Sequence, residues 1–223
     1  MNGITGERRK FRREGEGPRR EALVAAALAI VAESGPEAAT VRAIATRAGV
    51  TGGLIRHYFA TKEDLIRTAY TALMDRMLTD STAMLDRAPQ DDPVARLAAF
   101  VAASLSPPVT GAETVGLWAA FIRRACSDPA ILAVHEATYL AYRDRLQAMI
   151  AALPRPADPA TLRAQAIACN GVIDGLWLEA SLLPDTFAPG EMARIGLAAV
   201  GAILGLDLTA ASPPSLTTKG ATE

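Results

Sequence analysis

The amino-acid sequence predicts an all-α protein, and three observations support that prediction. Alanine, leucine and arginine dominate a chain of 223 residues that is 50% hydrophobic, whereas only 5% of its residues are aromatic. Apolar residues recur at intervals of three and four along most of the chain, which is the period of an amphipathic helix. Glycine and proline separate these stretches, as they do between helices. The predicted architecture is an N-terminal three-helix head of the helix-turn-helix type, joined by a long helix to a C-terminal helical body.

Positive charge is concentrated at the beginning of the chain. The formal net charge is only −1, but residues 1–20 hold seven arginines and lysines against three glutamates. A positive beginning and an acidic remainder are typical of a protein that contacts DNA at one end only. Residues 1–17 are glycine-rich and charged, so we predict a basic arm that is disordered in isolation. Such an arm is either a solvated tail or a segment that neutralises DNA phosphates.

The head is predicted to span residues 18–65 and to begin with a helix from Pro18 to about Ser34. Proline is favoured at the first helical position, and the glycine-proline pair after Ser34 stops the helix. Residues 66–208 are predicted to form an effector-binding and dimerisation body. The last residues, 209–223, are rich in serine, threonine, proline and glycine and are predicted to be a disordered tail.

The helix-turn-helix itself is predicted between Thr40 and Lys62. The hydroxyl of Thr40 can cap the first of its two short helices, and that of Thr51 can cap the second. Gly49 lies between them, where a tight turn favours a positive φ. The buried face of the first helix is predicted from residues at helical spacing: Val41, Ile44, Ala45 and Ala48.

The second short helix keeps a polar face that packing does not require. Its candidate DNA-contacting residues are Thr51, Gly52, Gly53, Arg56 and His57. Hydrogen-bond donors on the second helix of such a motif suit the major groove of DNA. Arg42 lies in the first turn of the preceding helix and is a candidate phosphate contact, preferred over Arg47. An ordinary helical hairpin is the alternative interpretation of this pattern taken alone.

The remaining helices are predicted from caps and breakers. Thr61 is a predicted N-cap, with acidic residues in the first turn after it, and that long helix runs to about Ala88. The residues PQDDP then form a loop, Asp128-Pro129 starts a further helix, and the prolines at 154, 156 and 159 form a rigid connection. The predicted body helices cover residues 93–105, 114–126, 129–153, 161–183 and 191–206.

The last two predicted helices are the most apolar. The residues ACNGVIDGLWLEASLL, within 161–183, are hydrophobic nearly all round, so this helix has to be buried on every side. One chain can bury only part of this helix, and a second copy of the chain is the simplest partner to bury the rest. Gly171 and Gly175, four residues apart, would let a second helix approach closely. We therefore predict a homodimer.

The N-terminal segment resembles the TetR family of bacterial transcriptional repressors over roughly its first 70 residues. The residues that carry the resemblance are Thr40, Ile44-Ala45, Ala48-Gly49-Val50-Thr51, Gly53, Phe59, Lys62 and Leu65. The resemblance implies a three-helix head, a fourth helix and a dimeric body, with phosphate contacts from Thr40, Tyr58 and Lys62. Packing inside the head is the alternative role for Tyr58. Arg56 stands where the family motif has a phosphate-contacting tyrosine.

The sequence His57-Tyr58-Phe59 and parts of the body resemble the choline-responsive BetI-type branch of that family. The body residues concerned are Trp118-Ala119-Ala120-Phe121 and Ile173-Asp174-Gly175-Leu176-Trp177. The resemblance implies a four-helix dimer interface formed by the last two helices of each copy. It also implies a second tryptophan where this chain has Ile122, so that any aromatic cage for choline is thinner here.

Candidate ligand-binding residues lie on the body helices: Trp118, Phe121, Tyr139, Asn170, Asp174 and Trp177. Asn170, Asp174 and Trp177 are spaced four and three, so they share one helix face. A carboxylate beside aromatic rings can hold a cation. Ordinary core packing is the alternative for each aromatic residue. Asp174 needs some partner on so apolar a helix, and an arginine or a backbone cap would also serve.

Catalysis finds little support in the sequence. His57 and His135 are the only histidines, His135 is predicted on a polar helix turn, and no phosphate loop, zinc-ligand pair or serine elbow is apparent. Neither a cofactor nor a metal is therefore expected. The two cysteines make no disulfide framework, which predicts a reducing cytoplasm. The longest apolar run is too short to cross a bilayer, so no membrane contact is expected.

The sequence therefore predicts a ligand-responsive, homodimeric transcriptional repressor without enzymatic activity. It would bind a pseudo-palindromic operator in double-stranded DNA, at the bacterial nucleoid. Binding of a small-molecule effector would release it from the DNA, and Asp174 favours a cationic effector. Three alternatives stay open at this stage. They are a small-molecule-binding helical dimer that does not bind an operator, a helical protein-interaction module, and a transcriptional activator of the same architecture.

Overall fold

The computed structural model describes residues 16–83 and 85–210. Within these residues the chain forms nine α-helices and no strand, which confirms the all-α prediction. The helices are α1 (Glu16–Ser34), α2 (Val41–Arg47), α3 (Gly52–Tyr58), α4 (Lys62–Thr82), α5 (Pro93–Ser104), α6 (Ala112–Ala125), α7 (Pro129–Ala151), α8 (Pro159–Leu182) and α9 (Glu191–Leu204). Most of the predicted arm and tail, residues 1–15 and 211–223, lies outside the described residues, whereas Glu16 and Gly17 belong to α1.

The helix-turn-helix forms as its caps predict, with one exception. Thr40 Oγ1 accepts a hydrogen bond from the Ala43 amide at 3.1 Å, and Gly49 turns the chain with a φ of 66°. Thr51 occupies the N-cap position of α3, but its side chain makes no capping hydrogen bond. The prediction that its hydroxyl caps the recognition helix is therefore wrong. That hydroxyl stays exposed on the outer side of the motif.

Thr61 caps α4, and its loss should cost more than that of Thr51. Thr61 Oγ1 accepts from the Asp64 amide at 3.0 Å. We expect Thr61→Ala to lower the free energy of unfolding by about 0.5–2 kcal/mol, and Thr51→Ala to change it by less than about 0.5 kcal/mol. Urea unfolding followed by circular dichroism measures both. Equal losses in the two variants would contradict the assignment of the caps.

Several predicted helix boundaries were wrong. The helix α4 ends at Thr82 and not near Ala88, and a 3₁₀ turn follows at Leu85–Arg87. Near its end, the hydroxyls of Ser81 and Thr82 donate to the backbone carbonyls of Met77 and Thr79, a competition that favours helix termination. Pro159 is not part of a linker. It begins α8, because Asp158 before it accepts hydrogen bonds from the first free amides.

Leu204 ends α9, two residues earlier than predicted, because Gly205 adopts a left-handed φ of 69°. The loop between α8 and α9 contains a 3₁₀ turn at Pro184–Thr186. No helix in the described part of the chain is long and apolar enough to span a membrane.

Two hydrophobic cores stabilise the structure, and the first joins the head to the body. Besides residues of α1 to α4, it contains Leu117 and Phe121 of α6 and Ile131 of α7. The second core lies within the body, between α5, α7, α8 and α9. The boundary proposed at residue 65 therefore lies inside the first core, and the head is packed directly on α6.

The outer face of α8 is apolar and uncovered. Ile167 and Leu182 leave 43% and 59% of their surface exposed, and Leu178, at the edge of this face, leaves 39%. Leu183, directly after the helix, is also exposed. Gly171 has nothing within 4 Å of the position that a Cβ would take. The opposite face of the helix is buried in the second core through Cys169, Ile173 and Trp177.

Candidate DNA-binding surface and effector cavity

The recognition helix α3 presents two exposed side chains with hydrogen-bonding groups. Arg56 and His57 are both exposed, whereas Ile55, beside them in sequence, is buried in the first core. Gly53 and Thr51 are exposed and Gly52 is half-buried, so the N-terminal part of the helix has little side-chain bulk. Small residues at that end let a helix approach the floor of a groove, while an exposed arginine offers bidentate donors.

The candidate phosphate contacts surround this helix. Thr40 lies at the N-terminus of α2 and Lys62 is the first residue of α4, so both stand where free backbone amides favour an anion. Arg42 is exposed in the first turn of α2. Tyr58 is half-buried and packs against the first core, and its ring also meets His57 edge-on at 5.1 Å.

Arg47 is engaged elsewhere. Two of its guanidinium nitrogens each donate to a carboxylate oxygen of Glu33 at 2.6 Å, which ties α2 to α1. The hydrogen bond from Arg47 lowers the pKa of Glu33. This exposed pair favours the choice of Arg42 over Arg47 as the residue of α2 that is free to meet DNA.

The body contains a cavity of about 400 Å³. Its walls are residues of α4 to α8 and the loop before α6: Met74, Met77, Leu78, Ser81, Ser104, Val109, Trp118, His135, Thr138, Tyr139, Tyr142, Ile173, Asp174, Gly175, Trp177 and Leu178. A cavity of this size is typical of sites for small molecules, as is a mostly apolar wall with a few converging polar groups.

Four of the six predicted ligand-binding residues line this cavity, namely Trp118, Tyr139, Asp174 and Trp177. The two tryptophan rings meet edge to face at 5.5 Å, and Trp177 Nε1 donates to the carbonyl of Val109 at 2.9 Å.

The other two predicted residues lie outside the cavity wall. Phe121 is buried in the first core, where its ring stacks on Tyr70 with centroids 4.5 Å apart. Trp118 and Phe121 are three residues apart on α6, yet only Trp118 faces the cavity. Asn170 is also buried, just behind the wall, and it contacts two residues that do line it.

Asp174 is held by a compact hydrogen-bond cluster. Tyr139 Oη donates to Asp174 Oδ2 at 2.6 Å, and Asn170 Nδ2 donates to the same carboxylate oxygen at 2.9 Å and to Tyr139 Oη at 2.6 Å. Burial raises the pKa of Asp174, and the bonds from Tyr139 and Asn170 only partly offset that effect. Burial beside this carboxylate also raises the pKa of Tyr139 to about 12.

The raised pKa of Asp174 predicts how the stability of the protein changes with pH, and unfolding measurements can test that direction. A carboxyl whose pKa is higher in the folded than in the unfolded chain loses stability as the pH rises between those two values. We therefore expect Asp174→Asn to raise the free energy of unfolding at pH 7 by about 0.5–2 kcal/mol, the usual size of a stabilising substitution. Thermal unfolding at pH 7 measures this gain, and it should shrink towards pH 4. A destabilised variant at pH 7 would contradict the prediction.

Two cavity-lining residues with polar groups were not predicted from the sequence. His135 lies on the cavity wall and not on a polar turn. Its Nδ1 forms a hydrogen bond with Tyr70 Oη at 2.9 Å. Burial lowers the pKa of His135. Tyr142 also lines the cavity and donates to Ser104 Oγ at 2.8 Å. The available signal was the spacing of His135, Tyr139 and Tyr142, which places all three on one face of α7.

A helix-turn-helix with free donors on its second helix, packed on a body that encloses a ligand-sized cavity, defines the class of DNA-binding transcriptional regulators. Comparison with known proteins agrees. Residues 23–69 match the family described as bacterial regulatory proteins, tetR family. Residues 93–205 match the family described as BetI-type transcriptional repressor, C-terminal.

Relatives and solved structures give the same assignment. The HTH-type transcriptional regulator BetI of Burkholderia thailandensis is 32% identical over 173 residues, which is 76% of this chain and 85% of that protein. The structure of a transcriptional regulator from Pseudomonas aeruginosa PAO1 matches with a TM-score of 0.78 and 32% sequence identity. The match covers 91% of this chain and 98% of the Pseudomonas chain. The chain belongs to the TetR family of transcriptional regulators, in its BetI-type branch.

A more distant structure shares the fold. A regulator from Saccharomonospora viridis, solved in complex with choline, has a TM-score of 0.63 and 17% identity, over 85% of this chain and 97% of its own. At that identity the likeness concerns the fold alone.

Proposed function

We propose that this protein is a homodimeric repressor that binds a pseudo-palindromic operator and leaves it when a small molecule occupies the body cavity. The observation that carries the proposal is the position of α4. Its first residue, Lys62, follows the end of the recognition helix by four residues, and its later residues Met74, Met77, Leu78 and Ser81 form part of the cavity wall. One rigid helix therefore connects the DNA-binding surface to the ligand site.

A contact in the middle of α4 supports the same coupling. Tyr70 is fully buried in the core that holds the head, and its hydroxyl meets His135, which lines the cavity. The His135 ring in turn lies 5.3 Å from that of Tyr139, the partner of Asp174. A ligand at Asp174 would therefore act on side chains that contact α4 and the head. Coupling of about 1–3 kcal/mol would weaken operator binding roughly 5- to 150-fold.

The uncovered face of α8 supports the homodimer. Apolar side chains exposed in a row, with open space at Gly171 between them, suit burial against a second copy. Two heads in one dimer would place their recognition helices in successive major grooves, about 34–36 Å apart. Such a protein would act in the bacterial cytoplasm.

The chemistry of Asp174 supports a cationic effector. It is a partly buried carboxylate that accepts hydrogen bonds from Tyr139 and Asn170, and no arginine, lysine or histidine of the described residues forms an ion pair with it. Burial of a carboxylate without an opposite charge is costly, so a bound cation would relieve that cost. The choline complex of the Saccharomonospora viridis protein shows a cation on the same fold.

Binding to DNA tests this function directly. Fluorescence anisotropy with the region upstream of the gene for this protein is expected to show a sequence-selective complex that weakens steeply with salt. Footprinting should protect two half-sites one helical turn apart. In vitro transcription from that promoter distinguishes repression from activation. A failure to select any neighbouring promoter over random DNA would favour a ligand-binding dimer without operator binding.

A further inference from the structure

The hydrogen-bond cluster at Asp174 has spare acceptors but no spare donor. The hydroxyl of Tyr139 and both hydrogens of Asn170 Nδ2 are used inside the cluster. Oδ2 of Asp174 already accepts two hydrogen bonds, whereas no group of the described residues donates to its Oδ1. Asn170 Oδ1 also has no partner, but it is buried behind the cavity wall, so Asp174 Oδ1 is the acceptor that a ligand can reach. This end of the cavity therefore favours a ligand that brings N–H or O–H donors.

The negative charge of Asp174 narrows the class of ligand further. Asp174 has no cationic partner in the described part of the chain, and burial lowers the pKa of the neighbouring His135, which keeps that imidazole neutral near pH 7. A carboxylate ligand at Asp174 would meet a second negative charge and no spare donor within the hydrogen-bond cluster. A cation with N–H groups would supply both the missing charge and the missing donor.

Away from the Asp174 cluster, the cavity wall is mostly apolar. Met74, Met77 and Leu78 of α4 and Ile173 and Leu178 of α8 belong to that part of the wall, and the whole cavity measures about 400 Å³. Methionine side chains adapt to ligands of irregular shape. A ligand as small as choline would fill only the polar end and would leave these walls in contact with water.

We propose that the cavity binds a protonated primary or secondary amine attached to an apolar chain, with one N–H donating to Oδ1 of Asp174. A quaternary ammonium lacks that N–H and cannot use the open acceptor. This inference rests on the cavity being the effector site, and it deepens that proposal by naming the class of effector.

Matched probes test the inference without DNA. Isothermal titration calorimetry of the full-length protein compares octylamine with octyltrimethylammonium, 1-octanol, octanoate and choline. We expect octylamine to bind at least about 10-fold more tightly than octyltrimethylammonium, which has no N–H to donate, and at least about 10-fold more tightly than 1-octanol, whose hydroxyl can donate but which carries no charge. Choline should bind still more weakly, by about fourfold for each methylene that it lacks. Octanoate should not bind measurably.

Two variants locate the effect. Asp174→Asn should bring the affinity for octylamine down to that for octanol, whereas Glu136→Gln should leave it unchanged. Glu136 is an exposed carboxylate on α7, next to His135 in sequence, and it does not line the cavity. If Asp174→Asn fails to fold, the probe series on the unmodified protein still decides the question.

Several results would overturn the inference: equal or tighter binding of octyltrimethylammonium or choline, a preference for octanoate, no binding of any probe, or an equal effect of the two variants. Adding octylamine to the operator complex separates this inference from the proposed function. Binding of octylamine without release of DNA would contradict the release mechanism and leave the ligand class in place.

Discussion

Replacing both Arg56 and His57 with alanine is expected to lower operator affinity by at least about 30-fold. A bidentate contact between arginine and guanine contributes about 1–3 kcal/mol to discrimination, and a dimer makes that contact in two half-sites. Both side chains are exposed and neither belongs to the first core, so their removal should leave the fold intact. Fluorescence anisotropy with the operator, at fixed salt, measures the loss.

The matched control for this variant is Arg145→Ala. Arg145 is exposed on α7 in the body, so the substitution removes a positive charge without touching the head. We expect it to change operator affinity by less than about threefold, since distant charges are largely screened. Sedimentation should show the same oligomeric state for both variants. Retained operator affinity in the Arg56, His57 double variant would mean that α3 does not contact the bases.

The second large effect is expected from Gly171→Glu. The glycine is on the uncovered face of α8, and a Cβ added there would meet nothing within 4 Å among the described residues. Replacing a helical glycine should even favour the monomer fold, by roughly 0.5–1 kcal/mol. In a dimer closed through this face, however, two carboxylates would be forced into an apolar contact. We expect a folded monomer whose operator affinity falls about 100-fold or more, because avidity is lost.

Analytical ultracentrifugation checks the oligomeric state, and Gly116→Glu is the control. Gly116 is also helical and exposed, with equally open space around it, but it lies on α6, away from the α8 face. That variant should remain dimeric and keep its operator affinity. If Gly171→Glu remained dimeric, the second copy would have to bind through another surface.

Helix positions were predictable where a single residue both caps and starts a helix. Asp128-Pro129 begins α7 as predicted, because the carboxylate accepts from the amides of residues 130 and 131 while proline needs no partner for its nitrogen. The end of α4 was not predictable in the same way. Its apolar pattern continues past Thr82, and the burial of Leu85 in the second core, together with the hydroxyls of Ser81 and Thr82, shows why the chain turns there.

The sequence predicted the types of residue in the candidate site, but only some of the individual residues that line it. The spacing of Asp174 and Trp177 correctly places both on one face of α8. Phe121 and His135 show the limit of such an argument. Helical spacing says which residues share a face, but it does not say which of two cores that face meets, so Phe121 was included. His135 was left out because it was predicted on a polar helix turn, although its spacing from Tyr139 and Tyr142 places it on their face.

By itself, the sequence determined that the chain is helical, that its head is a helix-turn-helix and that it belongs among the TetR-type regulators. These properties depend on local signals, namely caps, breakers and periodicity, which act over a few residues. Only the tertiary structure decided that α4 joins the recognition helix to a cavity, and that Tyr70 meets His135 and Tyr139 meets Asp174 there. Those contacts join residues 65 and 35 positions apart, and the packing angles of whole helices bring them together.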